Sequence, residues 1–340
     1  MNSTPWIAAA VAFGVCVITL PVIRTLASRS QLFDSSGPLK IHTRPIPRLG
    51  GIAIALGLLM ALVTARHGGK PSLAFVVAFL LLWITGLIDD VWSLPPGVRL
   101  AAQLGSALVL CLSVGAAPLY GPKALSLAVG ILFVVILVNA FNFLDGADGV
   151  AASVGLVIAL GYIVTGATRT NSSGNLLAWI LSGCCLGFLL FNFPPATIFM
   201  GDSGSTALGF VIAFMSLEFC SRQPGSGRNL IVPLVFAGLP LLDFFLAVLR
   251  RWRKGASPFL GDRQHFYDLL LQRGWSPREV ALCCCGSTAL LVGAGWVCMR
   301  GEGILALAAA PLVVGCLLVT SIQLGSLRHS SDPAGVQRES

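Results

Sequence analysis

In NAFNFLDGADG, residues 139–149, two asparagines and two aspartates recur at every third position: Asn139, Asn142, Asp145 and Asp148. Carboxylate and amide oxygens are hard ligands, of the kind that hold Mg²⁺ or Mn²⁺ and, through the ion, a phosphate. The segment follows LSLAVGILFVVILV, an uncharged apolar run. Residues three apart are neighbours on a helix, but the row drifts round the axis, and by Asp148 it has reached the face opposite Asn139. Gly146 and Gly149 let the helix end or bend inside the motif. Adjacent members are therefore expected to act together, with the last ones turning into a loop. Ordinary turn chemistry also places Asn, Asp and Gly at a helix end, but acidic side chains there oppose the macrodipole.

Four other segments carry polar side chains in similar settings. Asp89 and Asp90 in GLIDDVWSL are adjacent carboxylates, whose repulsion a cation or a shared proton relieves. FMGDSGST places Asp202 before an apolar run, where Asp is a good N-cap. A glycine-flanked helix start also offers N–H groups to phosphate, while the carboxylate holds the phosphate's metal. KIHTRPIPRLGG carries Lys40, His42, Arg44 and Arg48, suited to phosphate or to anionic headgroups. Its paired Gly50 and Gly51 predict a close backbone approach. GDRQHFYDLLLQRG adds Arg263 and His265, the histidine suited to binding a diphosphate or moving a proton.

The elements that must position these residues follow from composition. The 340 residues have a mean hydropathy of +0.86, with 56% hydrophobic and 11% charged side chains. A soluble domain of this size needs more charge on its surface. Apolar runs of about 20 residues, the length that crosses a bilayer, recur from end to end. The expected fold is all-α, a polytopic transmembrane helical bundle of about eleven spans. Their limits are 5–23, 49–65, 71–88, 100–118, 124–141, 150–168, 175–193, 204–221, 229–249, 280–299 and 303–324. One integral-membrane domain is expected over 1–327, followed by a polar cytoplasmic tail, 328–340. MNSTP lacks the positive side chains of a signal peptide, so the first apolar run is read as a span.

Of the 22 Lys and Arg, 15 fall on one side of this topology and seven on the other. The richer side is cytoplasmic by the positive-inside rule, which puts the N-terminus outside. All five polar segments then share the cytoplasmic face. Six of the 14 acidic residues lie at span ends there: Asp89, Asp90, Asp145, Asp148, Asp202 and Asp243. Ionisable groups at membrane depth are costly and mark function. Topology accounts for the formal charge of +8, so no nucleic-acid partner is expected. The ten cysteines lie mainly in apolar runs, without CxxC or histidines at zinc spacing, and read as small packing residues.

Carboxylates, asparagine amides and basic arms converging at a bilayer surface suit phosphoryl chemistry on Mg²⁺, with one substrate a lipid. KIHTRPIPRLGGIAI, GLIDDVWSL, NAFNFLDGADGVA, NFPPATIFMGDSGSTALG and DRQHFYDLLLQRG, in that order, resemble the motifs of the polyprenyl-phosphate N-acetylhexosamine-1-phosphate transferases. The resemblance covers nearly the whole chain. Its first motif looks more like the N-acetylglucosamine branch than the phospho-MurNAc-pentapeptide translocase branch. It implies transfer of a sugar-1-phosphate from a UDP-sugar to undecaprenyl phosphate, with release of UMP and a requirement for Mg²⁺, or Mn²⁺ in its place. The setting would be the bacterial inner (plasma) membrane, at the start of lipid-linked glycan synthesis, with a homodimer as a compatible assembly.

By the same resemblance Asp202 and Asn142 are metal ligands, and Asp90 or Asp89 is the base that deprotonates the lipid phosphate. Lys40 and Arg48 meet phosphates. Asp145 and Asp148 hold the nucleotide end; Asn139 belongs to the same substrate-binding row or braces the helix end. Arg263 and His265 contact the donor's diphosphate or sugar, with His265 as a further catalytic candidate. One departure stands out. The branch's His-x-His-His run reads His265, Phe266, Tyr267, Asp268 here, and Tyr and Asp do not reproduce two imidazoles. A modified donor such as a 6-deoxy N-acetylhexosamine is then also a candidate. The rival class is a membrane transporter of an anionic substrate, whose key charges should lie near the bilayer midplane rather than at span ends.

Overall fold

The computed structural model describes residues 5–29, 33–34, 46–65, 69–114, 122–164, 172–221, 227–255, 257, 263–300 and 304–325; Lys40, His42 and Arg44 lie outside them. In chain order the helices are α1 (Pro5–Arg29), α2 (Gly50–Thr64), α3 (Leu73–Trp92), α4 (Pro96–Val114), α5 (Lys123–Leu144), α6 (Val150–Val164) and α7 (Ser173–Asn192). They continue as α8 (Gly201–Ser221), α9 (Gly227–Phe236), α10 (Gly238–Arg253), α11 (Phe266–Gln272), α12 (Pro277–Arg300) and α13 (Ile304–Gln323). A two-residue antiparallel pairing of β1 (Phe33–Asp34) with β2 (Ile46–Pro47) precedes α2.

The all-α membrane fold stands, and each predicted apolar segment carries a helix. Among the described residues α1, α3, α4, α5, α7, α8 and α12 are long and apolar enough to cross a bilayer. The predicted span 229–249 is broken instead: α9 and α10 meet at a 77° bend and together are long enough for one more crossing. Pro233 lies within α9 and Pro240 in the first turn of α10, and proline removes an N–H and crowds the preceding turn. α2 and α6 have 15 residues each. At about 1.5 Å per residue that is ~22 Å, short of a hydrocarbon core of about 30 Å. Among the described residues, length and composition thus single out seven or eight full crossings, and α2 and α6 are apolar segments too short to be counted with them.

The bundle is built round α8. Its residues Ser203–Leu217 are buried without a break, as befits a helix apolar on all sides, and α2, α3, α5 and α7 pack against it. Phe75 and Phe79 of α3 meet Phe210 and Phe214 of α8, with Phe75 and Phe214 edge-to-face at 4.8 Å. α4 packs between α3 and α5, α10 lies along α5, and α12 covers α6 and α9. Cys16 and Cys184 are buried near α2, their thiols directed at the Ala53 and Ile54 carbonyls at 3.3 and 3.5 Å, in keeping with a packing role.

The paired glycines of α2 approach the chain entering α8. Phe199 donates its N–H to the Pro47 carbonyl at 2.9 Å, and Gly50 and Gly51 donate theirs to the Phe199 and Met200 carbonyls at 2.9 and 2.8 Å. A Cβ on Gly51 would overlap the Gly204 nitrogen and Ser203 Oγ, with the Gly204 Cα 2.7 Å away. Backbone cannot rotate out of the way as a side chain can. Gly51→Ala is therefore expected to cost about 1–3 kcal/mol, read as a lower thermal unfolding temperature of the detergent-solubilised protein. An unchanged transition would show that the two helix starts separate freely.

Candidate active site

Asp89 and Asp90 close α3 about 100° apart on the helical wheel, so they leave it in different directions. Asp90 faces the first turn of α8. Its Oδ1 accepts the Asp202 N–H at 2.7 Å, and its Oδ2 accepts the Ser203 N–H at 3.1 Å and the Ser203 hydroxyl at 2.6 Å. The first N–H groups of a helix have no partner within it and favour a carboxylate, so Asp90 caps α8 from another helix. Asp90 thus occupies the Asp202 and Ser203 N–H groups at the start of α8, with both of its oxygens engaged. Asp202 itself lies in the first turn of α8, not at the cap, and lines a cavity.

Asp89 turns the other way. It accepts the Leu94 N–H and a hydrogen bond from Arg99 Nη1 at 3.1 Å. The same Nη1 lies 3.5 Å from Asp202 Oδ2, so one guanidinium joins carboxylates of α3 and α8. Asn142 Nδ2 donates to Asp202 Oδ1 at 2.8 Å and to Ser205 Oγ at 3.2 Å. These four side chains form the polar head of a cavity of about 400 Å³, whose remaining wall is largely apolar, with Leu132, Ile136, Phe244, Phe245 and Val248 from α5 and α10. Asn139 reaches the same wall but exchanges amides with Gln103 of α4. Its Nδ2 donates to Gln103 Oε1 at 2.7 Å and to the Val135 carbonyl at 2.8 Å, and Gln103 Nε2 donates back at 3.4 Å. Its polar atoms brace α4 on α5.

Helix α5 does end inside the motif. Asp145 is its C-cap, with the N–H shared between the Phe141 and Asn142 carbonyls at 3.2 and 3.3 Å. Burial, and then the like charges of Asp202 and Asp90, push the Asp145 carboxyl well above the usual carboxylate range, which favours the neutral acid, a hydrogen-bond donor. Arg48, half-buried at the start of α2, opposes that shift with its positive charge. Asp148 is buried and is not among the residues lining the cavity. Its Oδ2 accepts the Ala196 N–H at 2.8 Å, Gly149 donates its N–H to Asn192 Oδ1 at 3.0 Å, and Asn192 Nδ2 reaches the Ile198 carbonyl at 2.9 Å. Asp148 therefore anchors the chain leading into α8.

In the last loop His265 is 5% exposed, and its Nδ1 meets Asp243 Oδ2 of α10 at 2.7 Å. Asp243 Oδ1 accepts the Phe266 N–H at 2.8 Å, so one carboxylate fixes the imidazole and the start of α11 together. Asp268 reaches back to the His265 N–H at 3.4 Å, and burial raises its carboxyl to about 6. The Tyr267 ring lies parallel to that of His265, and its hydroxyl donates to the Phe143 carbonyl at 3.1 Å. Of the positions that depart from the histidine run, Tyr267 thus docks the loop on the end of α5 and Asp268 closes the first turn of α11. Neither His265 nor Arg263 lines the cavity. His265 connects to it through Phe143, 5.4 Å away, over whose ring the Arg251 guanidinium lies at 4.7 Å. Arg263 accepts a hydrogen bond from Gln272 at its backbone carbonyl, at 2.8 Å.

Sequence alone gives no prominence to Arg99, Gln103 or Ser205. The available signal was that Arg99 and Gln103 are four residues apart, on one face of an otherwise apolar helix. No group of three or more His, Cys, Asp or Glu side chains that would hold a metal occurs among the described residues. The cavity head does fit Mg²⁺, which takes one or two carboxylates and completes its shell with water and substrate phosphates. Asp89 and Asp202 are such a pair, with the Asn142 amide beside them, and the Arg99 guanidinium shows that a positive charge is accommodated between them.

A methyl on Gly146 would overlap the Tyr267 hydroxyl and ring. Gly146→Ala and Tyr267→Leu should therefore be coupled, the double variant losing less stability than the two singles together by about 1 kcal/mol. Additive losses in thermal unfolding would show that the two residues do not share this space.

The model of glycosyl transferase family 4 matches residues 72–220, a stretch that holds Asp89, Arg99, Asn142 and Asp202. The chain is 34% identical over 300 residues to a decaprenyl-phosphate N-acetylglucosaminephosphotransferase of Mycobacterium tuberculosis (strain CDC 1551 / Oshkosh), spanning 76% of this chain and 74% of the relative. It is 33% identical over 353 residues to the protein of that name in Mycolicibacterium smegmatis, spanning 92% and 86%. A phospho-N-acetylmuramoyl-pentapeptide-transferase of Synechococcus sp. (strain JA-3-3Ab) is 31% identical over 334 residues, spanning 86% and 93%. Relatives of both branches thus align across most of the bundle as well as the site, and the chain belongs to the polyprenyl-phosphate N-acetylhexosamine-1-phosphate transferases of glycosyl transferase family 4.

Proposed function

We propose that this protein transfers an N-acetylhexosamine 1-phosphate, foremost N-acetylglucosamine 1-phosphate, from a UDP-sugar to undecaprenyl phosphate or a similar polyprenyl phosphate. UMP is released, and lipid-linked glycan synthesis begins on the cytoplasmic face of a bacterial inner membrane. The cavity carries this reading: a polar head of Asp89, Arg99, Asn142 and Asp202 opens onto an apolar wall, which matches a phosphate on a long hydrocarbon chain. The relatives' names point to a polyprenyl-phosphate acceptor and an N-acetylglucosamine phosphate.

Asp202, Asn142 and Asp89 are the residues that would hold Mg²⁺. When bound, the ion would neutralise phosphate oxygens and orient the two substrates. The protein's own groups do the rest. The lipid phosphate is a monoester whose second pKa is about 6, so it needs little help to lose a residual proton. Asp145, whose carboxyl is pushed up by burial and by its acidic neighbours, would donate a hydrogen bond to the UDP-sugar. Arg251 and the His265–Asp243 pair hold Phe143, and with it the wall beside Asn142, in place.

The direct test incubates purified protein with undecaprenyl phosphate, Mg²⁺ and a panel of UDP-sugars that includes UDP-N-acetylglucosamine, a 6-deoxy UDP-N-acetylhexosamine and UDP-MurNAc-pentapeptide. The expected result is a lipid diphospho-sugar, identified by mass, together with UMP. No lipid product from any donor would overturn the reading. Asp202→Asn should insert normally into the membrane and lose turnover; near-normal turnover would remove its metal role.

A further inference from the structure

Three charged side chains line the cavity: Asp89, Asp202 and Arg99. Two carboxylates therefore face one guanidinium. The cation is shared through a single atom, Arg99 Nη1, at 3.1 Å from Asp89 Oδ2 and 3.5 Å from Asp202 Oδ2. Burial is uneven. The Asp89 side chain is 6% exposed, while those of Arg99 and Asp202 are 36% and 35% exposed. A nearly dry carboxylate needs a partner at all times, since removing one leaves an uncompensated charge. The partner itself sits in the open part of the site, on a long side chain that also lines the groove.

A divalent cation entering between Asp89 and Asp202 takes up the same lone pairs, and two cations on one carboxylate pair repel. We infer that Arg99 is the resident counter-ion of this pair, exchanged for the divalent cation and then turned to the phosphate of the lipid acceptor. The identity of the acceptor rests on the function proposed above; the exchange itself does not. Charge then runs in a fixed order. The ion relieves the carboxylates, the head becomes net positive, and the released guanidinium faces an anion it could not reach while held. The ion and the lipid phosphate favour one another's binding, and the coupling is reciprocal.

The test uses the full-length protein in detergent with Mn²⁺ as the probe, its free concentration read by electron paramagnetic resonance, first without either substrate. Arg99→Gln removes the competing cation and should bind Mn²⁺ about three- to tenfold tighter than wild type. The KM for undecaprenyl phosphate should rise about tenfold in the same variant. Undecaprenyl phosphate should tighten Mn²⁺ binding in the wild type more than in Arg99→Gln. Arg99→Lys keeps the charge on a shorter arm; should Arg99→Gln fail to fold, an Mn²⁺ affinity between wild type and the expected Gln value carries the test. Mn²⁺ binding no tighter than wild type in the variants that fold would overturn the inference and mark Arg99 as a structural tie. The Mn²⁺ measurement needs no donor. A donor panel without product alongside tighter Mn²⁺ binding would sink the proposed reaction alone; product with unchanged Mn²⁺ binding would sink the exchange alone.

Discussion

The structure depends on how the first turn of α8 is satisfied. A helix that starts inside an apolar bundle presents N–H groups that neither lipid nor apolar side chains can pair. Here the partner is Asp90, brought by α3 and accepting two N–H groups and a hydroxyl. Because the cap comes from another helix, it fixes the axial register of α3 against α8 as well as closing the turn. The same short stretch is gripped from two more sides, by the α2 backbone at Phe199 and Met200 and by Asp148 at Ala196. Asp202 is the residue carried by this junction, and its place beside Asn142 and Asp89 follows from it.

The scarce polar groups divide by what they accept. Asp90, Asp148 and Asp243 bind backbone N–H groups and hold segments where the chain changes direction. Asp89 and Asp202 also meet side chains at the cavity head, contacts that a ligand can replace, although Asp89 keeps the Leu94 N–H as well. Bracing of this kind is what keeps the open groups in position: a reacting centre held by flexible contacts loses the advantage of fixed geometry. The Asn139–Gln103 exchange belongs with the braces, although Asn139 has the same residue type and spacing as Asn142.

That pair of asparagines shows where sequence ceases to be informative. Periodicity located the helix, the glycines located its end, and the scarcity of charge made every polar side chain at a span end notable. All of this is local and survives folding. Which polar residue opens to a cavity and which is tied to a neighbour depends on contacts between segments far apart in the chain, such as Asn139 with Gln103 or Asp90 with Ser203. Arg99 stayed hidden for the opposite reason. A basic residue after a span is explained by topology, and its bridge over ten residues to Asp89 exists only once α3 and α4 fold back on each other. The broken helix was legible in part: Pro233 and Pro240 stand in the sequence, but the 77° angle is set by packing.

That break makes the apolar side of the cavity a composite of two mechanical bodies. Leu132 and Ile136 belong to α5, which is bolted to α8 through Asn142; Phe244, Phe245 and Val248 belong to α10, which begins beyond the bend. Lateral strain in a bilayer that is too thick or too thin is relieved by tilting whatever segment is hinged. Strain of that kind would fall on the α10 side, changing the width of the groove while the charged head keeps its spacing. One face of the groove is thus carried by a helix that contributes nothing to the charged head.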